Sequence, residues 1–267
     1  MSRSDEYAQL AALVAATRET SGDLFGQAMV GWLRQHVSFD HCVIFGYRGA
    51  SRPLLLFETF SPAESHVFVT LYQEGPYLLD PFHHAAVERK EGFWRMRELA
   101  PDRFYASEYF RTYYSQTRLA EEVGFFVPLP GKDALVLSLM RLQASGPFGT
   151  ADARLLRDMA PAVIGFARVR WPALASDEQD EAEQDETIAA INEFDRAHIW
   201  ESLSLTPREK HVVDLVLQGH STESIARALR IVPGTVKVHR RNIHRKLGIK
   251  SQAGLFARFI EIIESRR

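Results

Sequence analysis

The chain has 267 residues, 46% of them hydrophobic and 11% aromatic, so it can form two globular domains and is not a disordered protein. Its single cysteine, Cys42, excludes an intrachain disulfide framework and a zinc site built from several cysteines. No apolar run approaches the ~20 residues of a membrane span, and the N-terminus lacks the pattern of a secretory signal. We therefore expect a soluble, cytoplasmic protein.

The formal net charge of −2 conceals an uneven distribution along the chain. From Leu203 onward there are 13 basic and 5 acidic residues, a balance of +8, which leaves −10 for the preceding part. This asymmetry suggests that only the C-terminal part meets a polyanion. Charge variation without function is the alternative interpretation.

The first 172 residues alternate between helical and strand patterns. Strands are predicted in two hairpin-like pairs, and helices precede, separate and follow these pairs. The predicted helices cover 5–19, 22–36, 63–74, 82–90, 105–122 and a segment from near 150; the predicted strands cover 41–47, 53–60, 125–130 and 134–142. Helices on both faces of one antiparallel sheet predict an α/β/α sandwich similar to GAF and PAS sensor domains.

An acidic segment separates this domain from the rest of the chain. Seven of the ten residues from Asp177 to Glu186 are acidic. Such a run repels itself and cannot be buried, so residues 173–203 are predicted to be a solvated linker. A transient cover for the basic domain is the alternative.

Residues 204–267 have the pattern of four short helices. Thr206–Glu209 forms a capping box at the start of the first helix, which ends at Gly219. Ser221 or Thr222 caps the second helix, a turn follows over Arg230–Val232, and the third helix runs from Pro233 to Gly248. The fourth starts near Ser251 and carries the apolar residues Leu255, Phe256, Phe259 and Ile263. The order of these elements predicts an all-α helix-turn-helix domain, so the whole chain belongs to the α+β class.

The third helix has two contrasting faces. Val236, Ile243 and Leu247 form an apolar stripe. The opposite side carries the long or basic side chains of Lys237, Arg241 and His244, with Val238 and Arg245 beside them. A helix of this kind suits the major groove of DNA, although a solvated basic face is the simpler alternative.

The string LTPREKHVVDLVLQGHSTESIARALRIVPGTVKVHRRNIHRKLGIKSQA resembles the DNA-binding domain of the LuxR family. The resemblance implies base contacts from Lys237, Val238 and Arg241, with His239 and Arg240 nearby. It also implies phosphate contacts from Thr206 and Thr235, and dimerisation through the fourth helix. The chain departs from the family pattern at Val232-Pro233, where a Ser usually precedes the recognition helix. Pro at the first position of a helix is compatible with the same fold.

Residues 67–142 resemble the autoinducer-binding domain of quorum-sensing LuxR proteins. The resemblance rests on Phe68 and Tyr72, Leu79-Asp80-Pro81, Phe93-Trp94 and Glu122-Val123-Gly124. It implies that Asp80 accepts a hydrogen bond from a ligand amide, and that aromatic side chains form the wall of the site. The candidate ligand-binding residues are Phe68, Tyr72, Tyr77, Asp80 and Trp94.

Phe68 stands where the family has a Trp whose indole N–H donates to a lactone carbonyl. The site therefore suits an amine or another amide as well as an acyl-homoserine lactone. Two structural interpretations compete with this one: the aromatic residues pack in the core, and Asp80-Pro81 serves only as a helix N-cap.

Other residue groups indicate no chemistry. The strand HCVIFGYRGA has no carboxylate at its end, which argues against a phosphorelay receiver. His83 and His84 point about 100° apart on a helix and do not share a metal ion with Asp80 easily. Asp40, His41 and Cys42 alternate across a strand, so Cys42 is predicted to be a core residue.

The sequence thus predicts a homodimeric, ligand-responsive transcriptional regulator of the LuxR type with a role in quorum sensing. The expected partners are double-stranded DNA with a near-palindromic operator, a small-molecule effector and a second copy of the chain, and RNA polymerase is a further candidate. We expect no cofactor, no metal and no enzymatic activity. The alternatives are a regulator whose N-terminal domain is a ligand-free dimerisation scaffold, and an enzyme with a DNA-binding appendage.

Overall fold

The computed structural model describes residues 3–19, 21–49, 51–174 and 203–264, which form an α/β domain and a helical domain. Nearly all of the predicted acidic linker, 173–203, lies outside these ranges. No helix within them is long and apolar enough to cross a membrane.

The strands of the described residues form one five-stranded antiparallel sheet in the order β2-β1-β5-β4-β3. Their bounds are β1 His41–Arg48, β2 Leu54–Glu58, β3 Gly92–Arg95, β4 Leu119–Pro128 and β5 Asp133–Leu142. The long strands β1, β4 and β5 lie next to one another and are almost entirely buried. The short strand β3, which is not among the strands predicted from the sequence, pairs with β4 at the edge of the sheet.

The helices of the first domain lie on both faces of this sheet. Their bounds are α1 Arg3–Ala16, α2 Gly22–Arg34, α3 Pro62–Ser65, α4 Pro81–Val87, α5 Met96–Leu99, α6 Glu108–Thr112 and α7 Thr150–Arg170. A π-helical segment, His66–Leu71, continues α3, and 3-10 segments cover Pro76–Leu79, Phe104–Ala106 and Tyr114–Thr117.

The period of two along each central strand assigns its side chains to separate cores. On β1, Cys42 and Ile44 face the core beneath α1, α2 and α7, whereas Val43, Phe45 and Tyr47 face the layer of short helices. Cys42 is fully buried, as predicted. On β4, Gly124 faces the short helices, where an added Cβ would lie 2.8 Å from the ring of Phe82.

The predicted helix over 105–122 is wrong, because that segment is divided among several short elements. Ser107 caps α6 by accepting a hydrogen bond from the Phe110 N–H, and α6 ends after one turn. Arg118 adopts the left-handed conformation with φ +54°, and the chain enters β4 at Leu119. Pairing of this segment with β5 outweighs the helix propensity of Leu-Ala-Glu-Glu.

A four-helix unit occupies residues 203–264, with α8 Pro207–Gln218, α9 Thr222–Leu229, α10 Pro233–Leu247 and α11 Gln252–Glu264. The predicted capping box at Thr206 is present, since its hydroxyl accepts from the Glu209 N–H and the Glu209 carboxylate accepts from the Thr206 N–H. Gly219 and Gly248 end α8 and α10 with φ of +95° and +67°. The helix positions agree with those predicted from the sequence.

The two domains are in direct contact. The Arg103 N–H donates to the Gly219 carbonyl at 2.9 Å, and the Ser221 N–H donates to the Asp102 carboxylate at 2.9 Å. An added Cβ on Gly219 would lie 2.7 Å from the Cα of Phe104, so the two backbones meet closely at this point. The loop at 101–104 therefore packs against the turn between α8 and α9.

A buried ion pair joins β3 to β4. The Arg95 guanidinium donates to both oxygens of Glu121 and to the Phe148 carbonyl, and both side chains are at most 8% exposed. The Phe148 N–H donates to Glu121 at 3.0 Å. Both charged groups are therefore hydrogen-bonded within the protein.

We expect Glu121→Gln to lower the free energy of unfolding by about 3 to 5 kcal/mol, because it leaves the Arg95 charge buried without its counterion. Chemical denaturation measures this change. Glu91→Gln is the control, since Glu91 pairs with Arg168 at the surface and its loss should cost at most about 1 kcal/mol. Equal effects of the two substitutions would contradict the assignment.

Candidate nucleic-acid interface and ligand cavity

Helix α10 presents one face to the domain core and another to solvent. Val236 and Ile243 are buried against the neighbouring helices. Lys237, Val238 and Arg241 are exposed on the other side, with Val238 47% exposed. This arrangement places two cations and an apolar side chain where DNA could reach them, and their contacts with bases remain a prediction.

The remaining predicted DNA-contacting residues are less exposed. His239 and Thr235 are partly buried, and the Thr206 hydroxyl is engaged with Glu209. Arg240 is partly buried, and its burial together with the nearby Arg103 guanidinium lowers its pKa. Lys246 pairs with Glu209 at 2.7 Å and thereby ties α10 to the start of α8.

A small cavity lies between the sheet and the layer of short helices. Its volume is about 30 Å³, which is room for one or two water molecules. Aromatic side chains form most of its wall, together with two carboxylates. The described lining residues are Val43, Phe45, Tyr47, Phe68, Tyr72, Asp80, Phe82, Tyr109, Tyr113, Tyr114, Thr117, Leu119, Glu122, Ser138 and Met140.

Asp80 both caps a helix and lines this cavity. Its Oδ1 accepts from the Phe82 N–H at 2.9 Å, as an N-cap of α4, and its Oδ2 accepts from the Tyr72 hydroxyl at 2.6 Å. Burial raises the pKa of Asp80 above its usual range, although the hydrogen bonds from Tyr72 and Phe82 oppose that shift. The cap interpretation is therefore compatible with a place in the cavity wall.

Glu122 is a second carboxylate in the cavity wall. The Tyr114 hydroxyl donates to its Oε2 at 3.1 Å, and Ser138 lies within hydrogen-bonding reach on the neighbouring strand. Burial, and then the negative charge of Asp80, raise the pKa of Glu122 well above its usual range. In the sequence, Glu122 contributes only to the family resemblance, because it falls at the end of the helix predicted over 105–122; the structure places it on β4 instead.

The structure separates the five predicted ligand-binding residues into two groups. Phe68, Tyr72 and Asp80 line the cavity, but Tyr77 and Trp94 are not among its lining residues. Tyr77 packs edge-on against the rings of Tyr72 and His83. Trp94 lies on the edge strand β3, where its indole N–H donates to the Glu91 carbonyl and it lines a surface cleft beside α7. Tyr77 is still next to Asp80, whose N–H donates to the Tyr77 carbonyl at 3.1 Å, and the binding of a ligand by any of the five residues stays a prediction.

The cavity adjoins a cleft at the protein surface. Tyr114, Leu119 and Glu122 line both spaces, and the outer cleft has a volume of about 190 Å³. Arg97 also lines the outer cleft, where its Nε lies 3.6 Å from Glu121. The side chains of Tyr114 and Leu119 thus stand between the interior cavity and solvent.

A helix-turn-helix unit joined to an α/β/α domain defines a DNA-binding transcriptional regulator, and comparison with known proteins gives the family. The family model GerE, "Bacterial regulatory proteins, luxR family", matches residues 203–258. An HTH-type transcriptional regulator from the exeN 3′ region of Aeromonas salmonicida is 34% identical over 187 residues, which are 68% of this chain and 93% of that protein. The chain belongs to the LuxR family of bacterial regulators.

Two further similarities cover one domain each. The transcriptional regulatory protein MctR of Rhizobium johnstonii is 45% identical over 51 residues, 19% of this chain and 24% of that protein. The LBD domain of VqsR from Pseudomonas aeruginosa superposes with a TM-score of 0.52 and 26% identity, over 61% of this chain and 94% of that one. The predicted family and fold class are confirmed.

The raised pKa of Glu122 makes the stability of the protein depend on pH. A carboxyl group whose pKa is higher in the folded state than in the unfolded state contributes stability at low pH, which is lost as pH rises towards the folded pKa. We therefore expect the free energy of unfolding to fall as pH is raised from about 5 to 8.

Glu122→Gln should make this dependence flatter and should stabilise the protein at the upper end of the range by about 1 kcal/mol or more, since one pKa unit corresponds to ~1.4 kcal/mol. Denaturation curves across the pH range measure both effects. Asp158→Asn, which alters an exposed carboxylate on α7, should reproduce the wild-type pH dependence. A Glu122→Gln protein with the wild-type slope would contradict the expectation.

Proposed function

We propose that this protein is a sequence-specific transcriptional regulator of the cytoplasm whose binding to DNA is controlled by a small molecule held in the cavity between Asp80 and Glu122. The effector class is an amide similar to an acyl-homoserine lactone or an amine-containing signal. The observation that carries the proposal is a small, largely aromatic cavity with buried carboxylates in a domain similar to the LBD domain of VqsR.

The position of the cavity suggests how an effector could act on the DNA-binding domain. Tyr109 and Tyr113 belong to the segment around α6 and line the cavity, while α6 packs against α8 and α11 on its outer side. Ile263 of α11 packs on Gly75, five residues before Asp80. An effector larger than the cavity would displace the segment around α6. Because α8 and α11 pack against this segment, the displacement would also alter the contact with the DNA-binding domain.

We propose that α10 enters the major groove, with base contacts from Lys237, Val238 and Arg241 and with His239 and Arg240 nearby. The hydroxyl groups of Thr206 and Thr235 would contact phosphates at the groove edge. Resemblance to the LuxR family and the exposure of the first three residues support this assignment.

We also propose that the active form is a homodimer on a near-palindromic operator, and that it acts through RNA polymerase. Leu255, Phe256 and Phe259 of α11 are already buried within the chain, partly by the first domain. Dimerisation through this face of α11 would therefore require release of α11 from the first domain. The contact between α11 and the first domain would therefore compete with dimerisation through α11. An effector could shift the equilibrium between these two states.

Arg241→Ala should weaken binding to a specific operator by about 1 to 3 kcal/mol and relax the sequence preference at one position. The loss of a phosphate contact would instead weaken binding to all DNA sequences alike. Fluorescence anisotropy at constant salt, with an operator selected from random DNA, measures both quantities. Arg18→Ala removes an exposed cation at the end of α1 and should leave affinity unchanged. Unaltered operator affinity in Arg241→Ala would show that the recognition face is wrong.

A cavity-filling substitution tests control by a small molecule. Val43→Phe should remove any effector response of operator binding, while overpacking costs about 1 to 3 kcal/mol of stability. Leu155→Phe, at an exposed position on α7, is the control for added aromatic volume. Native mass spectrometry of protein purified from its natural source should detect a retained small molecule in wild type only. Identical operator binding of wild type and Val43→Phe, with no retained molecule, would favour the ligand-free scaffold.

A further inference from the structure

We infer that the cavity holds the protonated amino group of its ligand between the carboxylates of Asp80 and Glu122. The inference rests on the proposed function of this cavity as an effector site, and it adds the chemical class of the effector. Three separate features of the cavity carry it: its charge balance, an unused hydroxyl group and its aromatic wall.

The charged side chains that line the cavity, among the described residues, are all acidic. Among its described lining residues, two are carboxylates and none is Lys, Arg or His. Titratable groups near Glu122 and Asp80 include the hydroxyls of Tyr47, Tyr72, Tyr109, Tyr113 and Tyr114. The buried His83 ring lies behind Tyr47, with ring centroids 5.4 Å apart, and does not line the cavity. Arg97 lies outside, in the cleft beside Glu121. Two carboxylates removed from water at one site cannot both remain ionised without a proton or a cation between them.

Tyr109 supplies the independent observation. Its side chain is 2% exposed and lines the cavity, yet its hydroxyl has no hydrogen-bond partner among the residues that the structure describes. Buried hydroxyl groups normally form a hydrogen bond, and a polar group of a ligand in the cavity would supply the partner for this one. An ammonium group has three N–H donors, enough for Asp80, Glu122 and the Tyr109 oxygen together, whereas a secondary amide has one.

The aromatic side chains of the cavity wall also favour a cationic amino group. Rings of Phe45, Phe68 and the tyrosines surround the carboxylates, and aromatic faces attract a desolvated cation. The cavity volume of about 30 Å³ admits an amino group with little more than its first carbon atoms. The rest of the ligand would extend past Tyr114 and Leu119 into the outer cleft.

Calorimetric titration of the full chain with butylammonium chloride tests the inference, with 1-butanol and N-butylacetamide as neutral probes and potassium chloride as the control for ionic strength. Butylammonium should bind at least about tenfold more tightly than 1-butanol, because only the cation gains Coulomb energy in the cavity. Titrations in two buffers of different ionisation enthalpy should reveal release of a proton from the Asp80–Glu122 pair.

Glu122→Gln should reduce butylammonium affinity by about tenfold or more and abolish proton release, while Asp158→Asn leaves both unchanged. Asp80→Asn is the second variant, and thermal melts establish that each protein is folded. The inference is overturned by equal binding of a neutral probe, by an equal response to potassium chloride, by unchanged affinity in Glu122→Gln, or by no binding of butylammonium at millimolar concentration.

Operator binding separates this inference from the function on which it rests. If N-butylacetamide binds as tightly as the amine and alters operator affinity, the cavity is an effector site but the cationic class is wrong. If butylammonium binds as expected and operator affinity does not change, the cationic class stands and control of DNA binding fails.

Discussion

The desolvation of Asp80 and Glu122 is the constraint on which the first domain depends. Both carboxylates lie in a layer of tyrosine and phenylalanine rings, where an isolated negative charge is costly. Hydrogen bonds from Tyr72, Phe82 and Tyr114 offset part of that cost. The same hydrogen bonds fix the start of α4 and join the segment after α6 to the sheet, so the polar centre of the domain also organises its elements.

The fold of the C-terminal domain could be predicted from sequence because its signals are local. Thr206, Gly219 and Gly248 mark helix ends through backbone conformation and capping, and these effects act within a few residues. The aromatic segment at 105–122 could not be predicted in the same way. Its helical pattern is overridden because Leu119–Pro128 pairs with β5, and β5 lies outside the segment, further along the chain.

The same distinction applies to the candidate ligand site. The family resemblance predicts Phe68, Tyr72 and Asp80 together, and these three residues lie within thirteen residues of the chain. Glu122 and Ser138 reach the cavity through the pairing of β4 with β5, and Trp94 is carried away from it by an edge strand that the sequence did not reveal. Resemblance to a family points to the region in which the cavity lies, but the sheet register decides which side chains meet there.

Glu121 and Glu122 have one further consequence for how that register is specified. A shift of β4 by one residue would keep a glutamate at only one of their two positions, because either Val123 would enter the aromatic layer or Ala120 would stand beside Arg95. Each shift therefore leaves one buried polar environment without its carboxylate. Gly124 disfavours the same shifts by a steric effect, because Phe82 approaches the strand so closely that Val123 or Phe125 in its place would collide with the ring. The smallest residue in the strand thus reinforces an alignment that its two charged residues already favour.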